Sequence, residues 1–458
     1  MNQIVSDVVS CQNQIDSFFV NQRIALLLKQ SNIAKKFGVS SMVVMRLIFS
    51  LVFTGKNLFR YLQTSESGSE FGKDTVYRFL NSTTANWRKF LYLLSAAVIR
   101  EQIQPLTSAK TPKVFIVDDS LYNRNRSKKV ELLARVHDHN EKRFLCGFRL
   151  LTLGWSDGTT CLPVSFSLLS SPKEKNRLFP MRDDIDKRTN GFKRRCESVR
   201  KSTHVLVELV AQAKAAGIAA EYLLFDSWFS FPATIIRLLE EKVQVICMLK
   251  AMKTTYGYQG FQVTLNELYK SLRKRTGRAK ILASCVVTLG RAEDGTAIMA
   301  KIVFVRDRSS RNWLALLSTD VRLADEEIIK LYKRRWDIEV FFKMTKSFLN
   351  LAKEFQSRSY DALVAHTTIV FTRYIMLAVS QRMTKDPRTL GILFHAGCDE
   401  LRQVSFAEAL TMLLGLFQQV LKEIPVSIAG RIQALLDSFV AGIPAMLQRM
   451  LLIPAWKY

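Results

Sequence analysis

Val114-Phe115-Ile116-Val117-Asp118-Asp119-Ser120 is a short apolar run that ends in two carboxylates, and Tyr222-Leu223-Leu224-Phe225-Asp226 repeats the pattern farther along the chain. Such runs, rich in β-branched and aromatic residues, read as buried strands. A carboxylate at the end of a buried strand is costly unless it is paired, caps a helix or binds a cation. A single strand-end aspartate is more often a cap or turn residue. Two of them in one chain point to an acidic pocket at the strand ends of an α/β sheet. Adjacent residues on a strand face opposite ways, so only one of Asp118 and Asp119 should face that pocket.

Outward from these strands the pattern is mixed. Phe144 to Leu153 and Cys161 to Leu169 read as a hairpin joined at Asp157-Gly158. A helix is expected from Lys193 to Ala216, another over Ala233 to Glu241, and a strand from Val243 to Leu249. That order predicts an α/β layer around a mixed central sheet. Residues 251–320 are β-rich, with strands expected at Ile281 to Leu289, Ala297 to Val305 and Trp313 to Leu317. A long helix follows from Asp325 to Asn350, with Asp325, Glu326 and Glu327 in its first turn, where the helix dipole favours them. Further helices are expected over Tyr360 to Met383 and Phe406 to Leu451. Residues 1–108 read as helical, and Ile33 to Ser40 loosely fits a helix-turn-helix corner.

The long helix carries the sharpest pattern. At about 100° per residue, Tyr332, Arg335, Glu339 and Lys346 fall within a stripe roughly 60° wide, with Lys343 on its border. Leu331, Ile338, Phe341, Phe342 and Phe348 point elsewhere, so the helix is packed in a core and shows one polar stripe to a cleft. The competing reading is a solvated face with an Arg335–Glu339 pair one turn apart.

Charge narrows the partner. The 458 residues hold 67 Lys and Arg against 40 Asp and Glu, a formal net charge of +27. That excess repels itself unless a polyanion is bound, and nucleic acid is the expected one. The basic residues recur along the chain, as a long groove requires; Lys193, Arg194 and Arg195 belong to one dense stretch. Phosphodiester cleavage needs attack on an already negative phosphorus. A pair of Mg²⁺ or Mn²⁺ ions held by carboxylates from distant segments meets that need. Basic groups beside Glu339 would hold neighbouring phosphates.

The spacing Tyr-x₂-Arg-x₃-Glu-x₆-Lys, here Tyr332, Arg335, Glu339 and Lys346, resembles the YREK signature of insertion-sequence DDE transposases, the IS-four group that includes the Tn-five type. Phe225-Asp226-Ser227-Trp228-Phe229 resembles the second aspartate segment, and Val117-Asp118-Asp119-Ser120 the first, where the family commonly has Asp followed by Thr or Ser. The resemblance, over residues of about 110 to 385, implies an RNase H-like core with a β-strand insertion. It assigns metal binding to Asp119, Asp226 and Glu339, with Asp118 the alternative to Asp119. Arg335, Lys343 and Lys346 are expected on phosphates, with Tyr332 assisting; the basic run Lys187 to Lys201, holding Lys193, Arg194 and Arg195, is expected on DNA from its charge, the alternative being a solvated helix start. The resemblance also implies cut-and-paste transposition by a synaptic homodimer on double-stranded inverted-repeat ends, in the bacterial cytoplasm. In some relatives a tryptophan of the insertion holds a flipped base. Trp313 is the candidate here, although a core tryptophan is the simpler reading.

The expected layout is a helical DNA-binding region (1–108), a core in two parts (109–250 and 321–385), a β-rich insertion (251–320) and a helical region suited to dimerisation (386–458). The alternatives are an RNase H-like nuclease or resolvase that does not join strands, and a repressor descended from a transposase. The seven cysteines form no CxxC pair, which argues against zinc. His137-Asp138-His139 reads as a surface turn. No signal peptide, P-loop, Gly-x-Ser-x-Gly or dinucleotide fingerprint appears. The apolar stretch Ala362 to Ser380 contains His366 and Arg373, and so reads as a core helix rather than a membrane span.

Overall fold

The computed structural model describes residues 14–402, except 36, 64–71, 139–141, 278, 293, 308–311 and 356, and a few isolated positions from 430 onward. The helices expected over Phe406 to Leu451 lie almost wholly outside the described residues, as do His139 and the dimerisation role given to the C-terminal region.

Among the described residues six helices come first: α1 (Gln14–Asn21), α2 (Ile24–Gln30), α3 (Ser41–Ser50), α4 (Leu58–Gln63), α5 (Lys73–Leu80) and α6 (Trp87–Val98). Apolar faces drive them together: Phe18, Phe19 and Phe49 of α1 and α3 form one aromatic cluster, and Phe79, Trp87 and Phe90 another. The connection between α2 and α3 spans Ser31 to Ser40, longer than the three- or four-residue corner of a helix-turn-helix.

The sheet contains β1 (Val114–Asn123), β2 (Ala134–Asp138), β3 (Arg143–Ser156) and β4 (Cys161–Leu169). After α7 (Asn190–Ser198) and α8 (Ser202–Ala215) come β5 (Tyr222–Phe225), α9 (Pro232–Glu240) and β6 (Gln244–Leu249). Then follow β7 (Thr255–Tyr258), β8 (Phe261–Thr264), α10 (Leu265–Ser271), β9 (Ile281–Arg291), β10 (Ala297–Arg306) and β11 (Trp313–Ser318). The chain ends its described part with α11 (Asp325–Tyr332), α12 (Trp336–Ser347), α13 (Tyr360–Thr384) and a helical stretch after it. Among the described residues these strands form one eleven-stranded mixed sheet, ordered β2-β3-β1-β5-β6-β11-β10-β9-β7-β8, with β4 on β3. β1, β5 and β6 run parallel, and the other pairs are antiparallel. This is a mixed α/β architecture consistent with an RNase H-like fold. The β-rich stretch continues the same sheet, because β11 pairs with β6.

Two expected helices are broken. The one from Lys193 to Ala216 is split at Val199–Lys201. The one from Asp325 to Asn350 tightens into a 3₁₀ turn over Lys333–Arg335. Arg334 holds that turn by donating to the Pro112 carbonyl at 2.6 Å. Helical periodicity could not show either break, since both flanks keep the same apolar pattern.

α13 has the length and apolarity to cross a membrane, but that stretch is entirely buried within the fold. Its buried His366 and Arg373 share one partner, Glu354. Glu354 accepts from Arg373 at 2.9 Å and lies 2.8 Å from His366 Nε2. Burial opposes ionisation of Glu354, yet Arg373 and His366 together hold its carboxyl down at about 2.

Candidate active site

β1 and β5 place the first two carboxylates. Their parallel register pairs Val114 with Tyr222, Phe115 with Leu223 and Ile116 with Leu224, so the next two steps set Asp118 beside Asp226 where the strands part. Val117 and Phe225 are fully buried beneath them, which fixes the strand ends against the core. The Asp226 carboxylate accepts the Trp228 amide at 2.9 Å, turning the chain out of the sheet.

α12 supplies the rest. Arg335, on the 3₁₀ turn at its start, donates to Asp118 Oδ2 at 3.1 Å and to Glu339 Oε1 at 3.3 Å. Lys346 Nζ, about three turns on, donates to Ser120 Oγ at 2.5 Å. Asp118 and Ser120 alternate onto the same face of β1, and that face meets the polar stripe of α12. Tyr332 precedes the tightened turn and packs deeper. Burial, together with Cys247 and Asp226, pushes its phenol well above the ordinary range, against the pull of Arg335.

The electrostatics mark Asp118. Burial first, then the charges of Glu339 and Asp226, push its carboxyl from the ordinary 3.8 up to about 7, while Arg335 works against them. Three acidic groups therefore share one neighbourhood with a single guanidinium between two of them. Burial likewise lowers the Lys346 ammonium, opposed by Asp138, Glu339 and Asp118.

Asp119 is not part of this group. Its carboxylate turns to the opposite face of β1 and accepts from Arg149 at 3.2 Å. Of the two adjacent aspartates, Asp118 is the one that lies with Asp226 and the α12 stripe. The pattern of Asp followed by Ser points to Asp119, but a motif says nothing about which side of a strand faces the helix.

The basic stretch of α7 also divides. Lys193 is exposed, as is Lys343 on α12. Arg195 is fully buried and bridges Glu131 (2.6 Å) and Asp361 (2.6 Å), and Arg194 pairs with Asp361 and donates to the Ala85 carbonyl at 2.8 Å. The donors of both arginines, expected on DNA, are here engaged within the fold and tie α7 to α13 and to the loop before β2. Trp313 packs between Tyr269 and Phe304, each with ring centroids 5.0 Å away, as a structural tryptophan does. His137 lies on β2 against Phe144. The six described cysteines are all free thiols.

Whether these residues suit a divalent cation is a question of donor chemistry. Asp118, Asp226 and Glu339 offer hard oxygen ligands, and their mutual repulsion calls for positive charge. Among the described residues no three acidic, histidine or cysteine side chains are yet drawn tightly enough to hold one ion. Arg335 stands between two of the carboxylates as the internal counter-charge. The donor set fits Mg²⁺ or Mn²⁺ once Arg335 turns to another anion.

A carboxylate within β1 beside one just past the end of the parallel β5, facing a glutamate and two cations on a helix, defines a nuclease-type enzyme. More particularly, residues 51–286 match the family described as DDE superfamily endonuclease, and residues 197–376 match the transposase DDE domain. The chain belongs to the DDE superfamily, whose transposases act on DNA and usually use divalent metal ions. The first match contains Asp118 and Asp226, and the second Asp226 and Glu339, so the two overlap across the site. No curated protein matches the chain.

Proposed function

We propose that this chain is a DNA transposase of the IS-four (YREK) group, which cleaves at the ends of a mobile element and joins the freed 3′ hydroxyl to target DNA. Asp118, Asp226 and Glu339 hold a pair of Mg²⁺ or Mn²⁺ ions. Those ions supply activation of the attacking oxygen and stabilisation of the leaving one. In cleavage, water attacks the phosphodiester and a 3′ hydroxyl departs. In joining, that hydroxyl attacks a target phosphodiester and displaces a second 3′ hydroxyl. Arg335 and Lys346 grip the phosphates on either side, and their side chains already reach the face of β1 that carries Asp118. Tyr332, buried near Asp226, assists. Lys193 and Lys343 contribute exposed charge to the DNA path, and a homodimer in the cytoplasm brings two element ends together.

The observation that carries this reading is the placement of Asp118 beside Asp226, with Arg335 linking it to Glu339. The test is a joining assay with Mg²⁺, pre-cut duplexes ending in the repeats that bracket the gene, and a supercoiled target plasmid. Joined product is expected, and Glu339→Gln should eliminate it while duplex binding persists. Nicked plasmid without joined product would leave a plain nuclease. Binding without either product would leave a repressor.

A further inference from the structure

The turn between β3 and β4 grips the start of α12 from the side away from the acidic residues. Asp337 and Glu339 are two residues apart, about 200° around a helix, so they face opposite ways. Glu339 Oε1 accepts from Arg335, whereas Asp337 Oδ2 accepts from Ser156 Oγ at 2.9 Å. The same Oγ accepts the Gly158 amide at 2.9 Å. Arg334, next to Arg335 on the 3₁₀ turn, lays its guanidinium over Gly158 and donates to the Pro112 carbonyl at 2.6 Å, just before β1. Gly158 has φ +88°, and a Cβ there would lie 2.9 Å from the guanidinium carbon, so its backbone and its neighbour both call for glycine. The β3–β4 turn is itself pinned. Buried Asp157 accepts the amides of Thr159 (2.9 Å) and Thr160 (2.7 Å), the Thr107 hydroxyl (2.5 Å) and the Arg382 guanidinium (3.3 Å).

We infer that Arg334 and Asp337, with Ser156 and Gly158 opposite them, are positioning residues for the proposed reaction: they latch the start of α12 to the β3–β4 turn, so that Arg335 reaches Asp118 and Glu339. The inference rests on the phosphoryl-transfer reading and names residues outside the acidic group that set its geometry. Lys333, Arg334 and Arg335 are not buried, and no side chain caps their 3₁₀ turn, so packing alone does not fix how the turn is rotated. The bonds of Arg335 to Asp118 and Glu339 do not fix it either, because those are the bonds that a bound phosphate replaces. The bonds of Arg334 and Asp337 touch neither carboxylate and survive that exchange. The latch therefore keeps the backbone of the turn still while the Arg335 side chain changes partner. It also ties α12 to the segment that enters β1, the strand of Asp118, so the two sides of the site are held to one another away from the substrate.

The test uses the full chain and supercoiled plasmid. Asp337→Ala should slow single-turnover, Mg²⁺-dependent nicking at saturating protein by about a hundredfold, the scale of a misplacement of roughly 1 Å, while metal-free plasmid affinity changes by less than about twofold. Asp337→Asn keeps an acceptor for Ser156 and should retain at least about a third of the parent rate. Gly158→Ala, a change outside α12 that pushes Arg334 aside, should slow nicking by about tenfold or more, again without loss of affinity. Hydrogen exchange of the amides from Lys333 to Glu339 should quicken by about tenfold in Asp337→Ala and in Gly158→Ala. Should Asp337→Ala not fold, Gly158→Ala carries the same comparison. Rate and affinity falling together, Asp337→Asn as slow as Asp337→Ala, or unchanged exchange overturns the proposal. Quickened exchange in variants of a chain whose unaltered form does not nick defeats only the enzyme reading. Parental nicking rates in both Asp337→Ala and Gly158→Ala defeat only the latch.

Discussion

Asp118→Asn is expected to lower Mg²⁺-dependent strand cleavage by at least about a thousandfold, whereas Asp119→Asn should change it by less than about tenfold. Removing one indispensable group of a catalytic unit typically has effects of the larger size. The asymmetry follows from strand alternation. Asp118 shares a face with the α12 stripe, within the field of Asp226 and Glu339. Asp119 faces Arg149 instead. Single-turnover nicking of supercoiled plasmid measures both. An inactive Asp119→Asn beside an active Asp118→Asn would reverse the assignment and require β1 to rotate on binding DNA.

The same substitution makes an opposite prediction for stability. Asp118 titrates near 3.8 in an unfolded chain and is pushed up to about 7 in the fold. Well below pH 3.8 both states are protonated and the group contributes nothing. As pH rises toward 7 the unfolded state loses its proton more readily than the folded one, so folding is progressively disfavoured. Above 7 that cost is constant. Metal-free Asp118→Asn should therefore melt higher than the parent at pH 8 and at nearly the same temperature at about pH 3. Melting curves at both pH values check this. A lower melting temperature at pH 8 would mean that the pairing with Arg335 outweighs the cost of burial. A gain in stability with loss of cleavage is the mark of an acidic site that the fold tolerates for its chemistry.

How far the chain can be read without coordinates follows from what each signal encodes. The strands of the core were legible because an apolar run that stops at an aspartate is too short for a helix and too apolar for a loop, and β4 and β5 fall at the expected residues. The short strands β2, β7 and β8 were not, since Ala134–Asp138 and Thr255–Thr264 are only partly buried and their polarity hides the period of two. Arg335, Glu339 and Lys346 were legible as one stripe because residues four and seven apart stay together on a helix, and the 3₁₀ turn lies on their N-terminal side. The choice between Asp118 and Asp119 was not, because it depends on which face of β1 packs against α12. Burial of Arg194 and Arg195 was likewise hidden. Their partners Glu131 and Asp361 come from distant segments, and a run of basic residues looks the same whether it is solvated or buried.

Arg195→Met should destabilise the protein by about 3–5 kcal/mol, the usual result of removing one partner from a buried ion pair. The methionine fills much of the volume, so the loss is mainly electrostatic. Glu131 and Asp361, both almost fully buried, would lose their shared guanidinium. Asp361 would keep Arg194, and Glu131 would keep the backbone amides of Arg182 (3.1 Å) and Tyr360 (3.3 Å), which cannot neutralise it. Because Asp361 begins α13 and Glu131 precedes β2, the damage should spread to the contact of α7 with β4. Adding Glu131→Gln and Asp361→Asn should recover a good part of the stability, since neutral partners need no counter-charge. Urea denaturation of the single and triple variants measures this, with DNA affinity recorded on the folded fraction. Unchanged stability together with weaker, less salt-dependent DNA binding would instead make Arg195 a phosphate contact exposed by a rearrangement of α7.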